Sequence, residues 1–290
     1  LGIIIRLITM IMLAAMFAFV KLAGEAGVHV TESLFYRQLF AIPVIILFLR
    51  GHEKGWQAIR SNRHAVHIFR MCIGLCAMAL NFWAVTLLPL ATSTTIGFTV
   101  PIFATFLAGF LLREQVGIRR WLAVIIGFCG VFIVVQPGSA DIPLSGAIVA
   151  LSGALLTAGV TLVIRVLGRT EQSITTIFWF SIYSMVPLGV LAFIFGGKHD
   201  AQAWGYILGL SFFGAAVQLG ITQSLRLAPV STVLPMDYTS LIWASIFGIL
   251  IFGNWPGLSL WLGAPVIIGS GLFIAWREHL KSGKELAKSQ

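Results

Sequence analysis

Residues 88–114, LPLATSTTIGFTVPIFATFLAGFLLRE, and residues 228–254, APVSTVLPMDYTSLIWASIFGILIFGN, follow one plan 140 positions apart. Each opens on a proline, Pro89 or Pro229, runs through one apolar helix and stops on a polar or charged residue, Glu114 or Asn254. The same shift of 140 lays Gly74 on Gly214 and Trp121 on Trp261. Each half of the chain carries five apolar runs of membrane length. An odd number of spans puts the second copy into the bilayer upside down relative to the first. Inverted-topology repeats of this kind recur in alternating-access transporters, with the solute site between the copies near the midplane.

A spanning helix needs about 20 mostly apolar residues. Ten such runs are predicted, numbered here as spans 1 to 10: 3–22, 33–49, 65–86, 92–112, 121–136, 143–164, 174–195, 204–225, 231–252 and 258–276. The chain is 58% hydrophobic and 10% charged, with a mean hydropathy of +0.97, unlike any soluble domain of 290 residues. The fold class expected is an all-α integral membrane protein of two inverted five-helix repeats, residues 1–137 and 143–277, followed by a basic cytoplasmic tail, 278–290. The first run is too long, and too clearly part of the ten-span pattern, to be a cleaved signal. Short connections leave no room for a nucleotide-driven motor domain. No Gly-x-x-x-x-Gly-Lys-Ser/Thr stretch is present.

The net charge of +9 is distributed by side of the membrane. With the N-terminus in the cytoplasm, the inner loops and tail hold Arg50, Lys54, Arg60, Arg63, Arg113, Arg119, Arg120, Arg165, Arg169, Arg226, Arg277, Lys281, Lys284 and Lys288, and the outer loops hold Lys198. This bias puts both termini in the cytoplasm of a bacterial-type inner membrane. Basic charge used this way sets topology and attracts anionic lipid headgroups; it is no sign of nucleic-acid binding.

Small residues let helices approach closely in lipid. Span 6 offers Gly146, Ala150, Ala154 and Ala158 on one face, span 8 offers Gly205, Gly209, Ser211, Gly214 and Ala215, and span 4 offers Ala104 and Ala108. Trp121, Trp204, Trp255, Trp261 and Trp276 fall at span ends, where an amphipathic ring prefers the headgroups. Cys72, Cys76 and Cys129 lie within spans and are read as small buried apolar residues rather than a disulfide or metal framework.

Ionisable residues inside spans are expensive and call for a functional reading. Asp237, within Pro235-Met236-Asp237-Tyr238-Thr239, is the one acid well inside a span. It must be paired, protonated or lining water. Pro235 removes a backbone donor beside it, which suits a broken-helix site. Lys21 and Arg37 are embedded near the outer ends of spans 1 and 2. They snorkel to the interface, with Arg37 free to pair with Glu32, or they attract a substrate carboxylate. Arg70 is expected to snorkel to the cytoplasmic side. Span 8 also presents a polar stripe, Ser211, Ala215, Gln218 and Thr222. Thr157 and Thr161 match it from span 6, Asn81 from span 3, and Thr94, Thr95 and Thr99 from span 4. Phe82, Trp83, Phe98, Trp179, Tyr238 and Trp243 lie among them. Amides, hydroxyls and aromatic walls with few charges suit a small amphipathic organic solute better than an inorganic ion.

Enzyme readings fail on inventory. All six histidines fall in loops, at span edges or in the tail, and neither a His-Glu-x-x-His helix nor a Gly-x-Ser-x-Gly elbow is present. No metal site or cofactor is expected.

Several motifs together resemble the drug/metabolite transporter superfamily, EamA type. In the first half these are Phe35-Tyr36-Arg37, Pro101-Ile102-Phe103, Leu112-Arg113-Glu114, Arg120-Trp121-Leu122-Ala123 and Gly127-Phe128-Cys129-Gly130-Val131. In the second half they are Leu225-Arg226-Leu227-Ala228-Pro229, Pro235-Met236-Asp237-Tyr238 and Trp276-Arg277-Glu278. The resemblance implies a secondary transporter of small organic metabolites; members include amino-acid exporters and relatives that take up S-adenosylmethionine. Where the family often ends span 9 with Glu, this chain has Asn254.

The resulting expectation is a cavity lined by spans 1, 3, 4, 6, 8 and 9. Its candidate solute contacts are Asn81, Trp83, Thr94, Thr95, Phe98, Thr161, Trp179, Gln218, Thr222, Asp237, Tyr238 and Trp243, and its charge or coupling candidates are Lys21, Arg37 and Asp237. Asp237 is assigned a proton-responsive or amine-contacting role. The leading function is export of amino acids or similar metabolites, with import of S-adenosylmethionine or a related solute as the alternative and a non-transporting scaffold as the third. One chain can enclose the cavity, so a monomer suffices, or at most a weak homodimer.

Overall fold

A computed structural model describes residues 1–51, 55–111, 116–136, 142–168 and 170–288, with side chains described at all of these except Phe48, Val230, Ser231, Glu278, His279 and 281–288. Every described element is helical. In a bilayer a helix satisfies its backbone internally, which strands cannot do without closing a barrel. The ten expected spans are present: Gly2–Glu25, Val30–Leu47, His64–Leu87, Leu90–Leu111, Ile118–Val135, Leu144–Leu167, Ser173–Phe195, Ala201–Leu227, Leu234–Phe252 and Leu258–Arg277. The last helix continues to Lys288, so the segment expected as a tail extends span 10. Of the charges used to orient the chain, Lys54, Arg113 and Arg169 lie outside the described residues, as do Leu112 and Glu114 and the side chains of Lys281, Lys284 and Lys288.

Helix ends follow the local sequence. His29 and Glu32 form a reciprocal capping box at the start of span 2. The Asp200 carboxylate accepts from Ala203 N at 2.8 Å and starts span 8. Gly253, at φ +66°, ends span 9 in a left-handed turn.

The spans pair 1 with 8, 3 with 6, 2 with 7, 4 with 9 and 5 with 10. Exchanging each span for its equivalent in the other half turns the 1–8 pair into the 6–3 pair and leaves the other three unchanged. That is the contact pattern of a pseudo-two-fold axis. Spans 5 and 10 show it in detail. A Cβ on Gly127 would lie 3.2 Å from Ser270 Cβ, and one on Gly130 would lie 2.9 Å from Ile267 Cγ1. Gly127 and Ile267 are 140 positions apart, as are Gly130 and Ser270, so the two contacts are symmetry mates.

The small-residue face of span 6 and most of that of span 8 are packing faces, whereas Ala104 and Ala108 of span 4 are not among those packed contacts. Gly146, Ala150, Ala154 and Ala158 are all buried, and Gly146 and Gly153 press on Leu88 and Asn81. On span 8, Gly209 receives Phe19 and Gly220 receives Thr9, both from span 1. Gly205 meets nothing within 4 Å and takes no part. All three cysteines are exposed on the outside of the bundle, which corrects the expectation of burial. Against lipid a thiol gains little by facing inward, because the surroundings are apolar on either side.

Spans 2 and 3 are tied to span 7 and its flanking loops at both ends and in the middle. At the arginine-rich end, His67 donates to Glu171 at 2.7 Å and Ser61 also bonds Glu171. In the middle the Gln38 amide donates to Ser181 Oγ at 2.7 Å. At the opposite end His199 meets Glu32 at 2.9 Å. Each pair joins residues more than 100 positions apart.

Two expectations follow. Gly263→Leu forces spans 5 and 10 apart, because its Cβ would sit 2.7 Å from the Gly130 carbonyl oxygen. Overpacking of this kind costs about 1–3 kcal/mol and lowers the thermal midpoint of the purified protein in detergent, whereas Gly205→Leu leaves it unchanged. Ser181→Ala strands a buried Gln38 amide and costs about 1–3 kcal/mol, while the Gln38→Leu, Ser181→Ala pair recovers most of that loss in the same melting assay.

Candidate functional site

Two spans are interrupted. Span 4 runs as Leu90–Gly97 and resumes as Val100–Leu111. Pro101 has no N–H to donate to the Gly97 carbonyl four residues back, and Thr99 turns its hydroxyl onto Ile96 O at 2.6 Å. Span 9 begins with a short turn, Val230–Val233, tightens to a 3₁₀ helix over Leu234–Thr239 and becomes regular only at Ser240–Phe252. The Thr239 and Ser240 hydroxyls donate to Met236 O and Asp237 O, each at 2.6 Å, adding local bonds where the helix changes pitch. The break at Pro235 is the one expected from the sequence. The break in span 4 went unread, although Pro101 marked it.

The two breaks meet. The Phe98 and Tyr238 rings pack edge to face with centroids 4.8 Å apart. Tyr238 lies 140 positions after Phe98, so equivalent residues of the two copies touch each other. Such a pair must sit beside the pseudo-two-fold axis. On span 10, Gly271 makes room for the phenol, since a Cβ there would lie 2.5 Å from the hydroxyl oxygen.

Beside this pair is a cavity of about 870 Å³. Its walls come from Phe98, Pro101, Ala104, Thr105 and Ala108 of span 4, Arg120 of span 5, Thr161 and Arg165 of span 6, Pro235, Asp237 and Tyr238 of span 9, and Leu272 and Trp276 of span 10. The lining is mainly apolar and aromatic. The cavity occupies the arginine-rich half of the bundle. In the opposite half, Ala18, Val20, Ala23, Leu34, Phe82, Val85, Leu90, Ala203 and Ile207 pack into one apolar cluster, with Trp243 and Phe252 against it. The described cavity thus lies in one half, and a packed apolar cluster in the other. Spans 5 and 10 line the cavity, while spans 1, 3 and 8, expected as walls, contribute no lining residue to it.

Asp237 keeps about a third of its side chain exposed (32%) and is already paired. Arg6, buried at 4% exposure, donates from Nε to Oδ1 at 2.5 Å and from Nη2 to Oδ2 at 2.7 Å, and its Nη1 donates to Ser224 Oγ at 3.3 Å. This planar fork fills both carboxylate oxygens with charge-assisted bonds. Arg6 is absent from the sequence reading. Its signal was available: a lone acid at the inner end of one span needs a cation at the inner end of another.

The remaining candidates separate. Phe98, Thr161, Asp237 and Tyr238 line the cavity together. Asn81 donates to Ala77 O and to Thr157 Oγ between spans 3 and 6. The Thr95 hydroxyl is buried and bonds Ala91 O, and Thr222 bonds Gln218 O. Thr94 and Gln218 are half-buried. Trp179 donates to Ile59 O and stacks on Tyr183. Trp83 is exposed, and Trp243 packs against the apolar cluster.

Three embedded cations depart from expectation. Lys21 does not snorkel: at 8% exposure it donates to the Leu88 carbonyl at 2.8 Å and lies over the Phe252 ring. The carbonyl is at hand because span 3 ends there and Pro89 follows. Arg37 does not pair with Glu32, which is held by His199 and by its own helix cap; its Nε is buried without a partner, and Nη1 reaches Gln38 Oε1 at 3.5 Å. Arg70 does not reach solvent but stacks over Phe180, 4.2 Å from the ring centroid. Among the described residues no group of three or more His, Cys, Asp or Glu could hold a metal ion.

The EamA-like transporter family matches residues 1–136 and 144–276. The riboflavin transporter of Vibrio cholerae is 28% identical over 90% of this chain and 88% of its own length. The S-adenosylmethionine uptake transporter of Rickettsia felis is 26% identical over 86% of this chain and 84% of its own. A crystal structure with 14% identity superposes over 94% of this chain and 96% of that one, with a TM-score of 0.59, and shares the fold. Ten apolar spans, a repeat about a pseudo-two-fold axis and a match across both halves establish the chain as a multi-pass membrane protein and a member of the EamA-like transporter family.

Proposed function

We propose that this small-metabolite transporter takes up a ring-bearing organic solute across a bacterial inner membrane by alternating access. The observation that carries the reading is the cavity at the meeting point of the two interrupted spans, walled by Phe98, Tyr238 and Trp276. Interrupted helices facing each other near the repeat axis are the usual setting of a transporter solute site. At about 870 Å³ the cavity is in the range that encloses a drug-sized ligand. That is more room than an amino acid requires, and it favours a larger heterocycle as solute over the amino acid first expected. The relatives named for riboflavin and for S-adenosylmethionine uptake support the same choice.

Residues 1–137 and 143–277 form the two rocking halves in this reading. With both termini cytoplasmic, the half that holds the cavity faces the cytoplasm and the half that holds the apolar cluster seals the outer side, so the conformation described is inward-facing. The bonds linking spans 2 and 3 to span 7 are closed at both ends at once. That side serves as the pivot, and the packing around spans 4 and 9 opens and closes.

Purified protein in proteoliposomes preloaded with unlabelled riboflavin is expected to accumulate labelled riboflavin by counterflow. Liposomes preloaded with leucine and assayed with labelled leucine are expected to show none. The reverse result would restore the amino-acid reading. Tyr238→Ala removes the central ring and is expected to weaken solute binding by roughly tenfold, since an aromatic contact contributes about 0.5–1.5 kcal/mol beyond its area. Tyr238→Phe keeps the ring and is expected to bind as the parent does.

A further inference from the structure

Among the described residues one carboxylate lines the cavity, and its charge is already matched by Arg6. Asp237 is the sole acid among the described lining residues, which also include Arg120 and Arg165. A solute cation entering the cavity would meet a carboxylate whose charge Arg6 already balances through a bond to each oxygen. Arg6 is not a mobile surface arginine. It is buried, its third nitrogen is held by Ser224, and it lies behind the cavity wall rather than in it. A buried guanidinium cannot leave its only carboxylate without a large desolvation penalty, so a solute cation has nothing equivalent to offer in exchange.

Charge elsewhere in the bundle points the same way. Lys21, Arg37 and Arg70 are set among the helices, and none has a carboxylate within salt-bridge distance among the described residues. Two other acids well buried in the bundle, Glu32 and Glu171, are each held by a histidine. In a low-dielectric interior such charges are weakly screened. The interior therefore repels cations and attracts anions and electron-rich rings.

We propose that Arg6 determines the charge selectivity of this transporter: by occupying both oxygens of Asp237 it leaves a cavity that admits uncharged or anionic ring solutes and rejects cationic ones. The proposal rests on the reading of the cavity as the solute site. It separates this chain by mechanism from a relative that takes up a sulfonium cation. The sequence-based role of Asp237 as an amine contact is replaced by a role as the anchor of Arg6.

The test uses purified full-length protein in detergent and three probes: riboflavin (uncharged), riboflavin 5′-phosphate (anionic) and S-adenosylmethionine (cationic). The parent protein is expected to bind labelled riboflavin, to be competed by the phosphate ester, and to ignore S-adenosylmethionine at a hundredfold higher concentration. Arg6→Gln frees the carboxylate and is expected to bring S-adenosylmethionine binding within tenfold of riboflavin binding. Arg6→Gln with Asp237→Asn removes both charges and is expected to lose that gain. Competition by S-adenosylmethionine as strong as by riboflavin in the parent overturns the proposal without any variant being made. A folded Arg6→Gln protein, judged by a cooperative melt, that still ignores the cation also overturns it. Failure of the parent to bind any of the three sinks the solute-site reading and this proposal with it.

Discussion

A helix interrupted inside a bilayer leaves backbone groups that lipid cannot satisfy, so an interruption survives only where it is buried in protein or borders a polar cavity. Two of the ten spans in this protein are interrupted, and the rest of the architecture follows from where those interruptions face. Both point to the same place, beside the pseudo-two-fold axis, where Phe98 meets Tyr238. Hydroxyls of Thr99, Thr239 and Ser240 turn back to carbonyls at the breaks.

The bundle is asymmetric in how it is tied together. On the side of spans 2, 3 and 7 the contacts are polar and specific, with charged or amide pairs at both ends and in the middle. Removing one partner of such a pair strands the other in a medium that cannot hydrate it. Around spans 5 and 10 the contact is glycine against aliphatic side chain and depends on shape. Shape-based contacts without hydrogen bonds can slide or separate at lower cost than a buried polar pair can be broken.

Asp237 illustrates why an isolated acid in a span is an ambiguous signal. The residue lines the cavity and also closes an ion pair with Arg6. The pairing decides its chemistry. A carboxylate that accepts a two-bond guanidinium fork has little left to offer a solute. Lys21 makes the same point from the other side: its ammonium is satisfied by the Leu88 carbonyl and the Phe252 ring, without any carboxylate.

Hydropathy alone was enough to count the spans, because a bilayer demands a minimum apolar length whatever the neighbours are. The recurrence at 140 residues revealed the repeat, and Pro235 revealed one break, since a proline acts on its own backbone. These are local or periodic properties and can be read along the chain. The recurrence could not say which equivalent residues touch. Phe98 and Tyr238 do, whereas Gly74 lies against Phe180 and Gly214 against Arg37. Nor could the line of residues supply the partner of Asp237, which is 231 positions away in span 1. Partners across a bundle depend on the rotation of each helix about its own axis and on how closely glycines let backbones approach. Both are set by packing against neighbours, and so the walls of the cavity and the charge it presents belong to the tertiary structure.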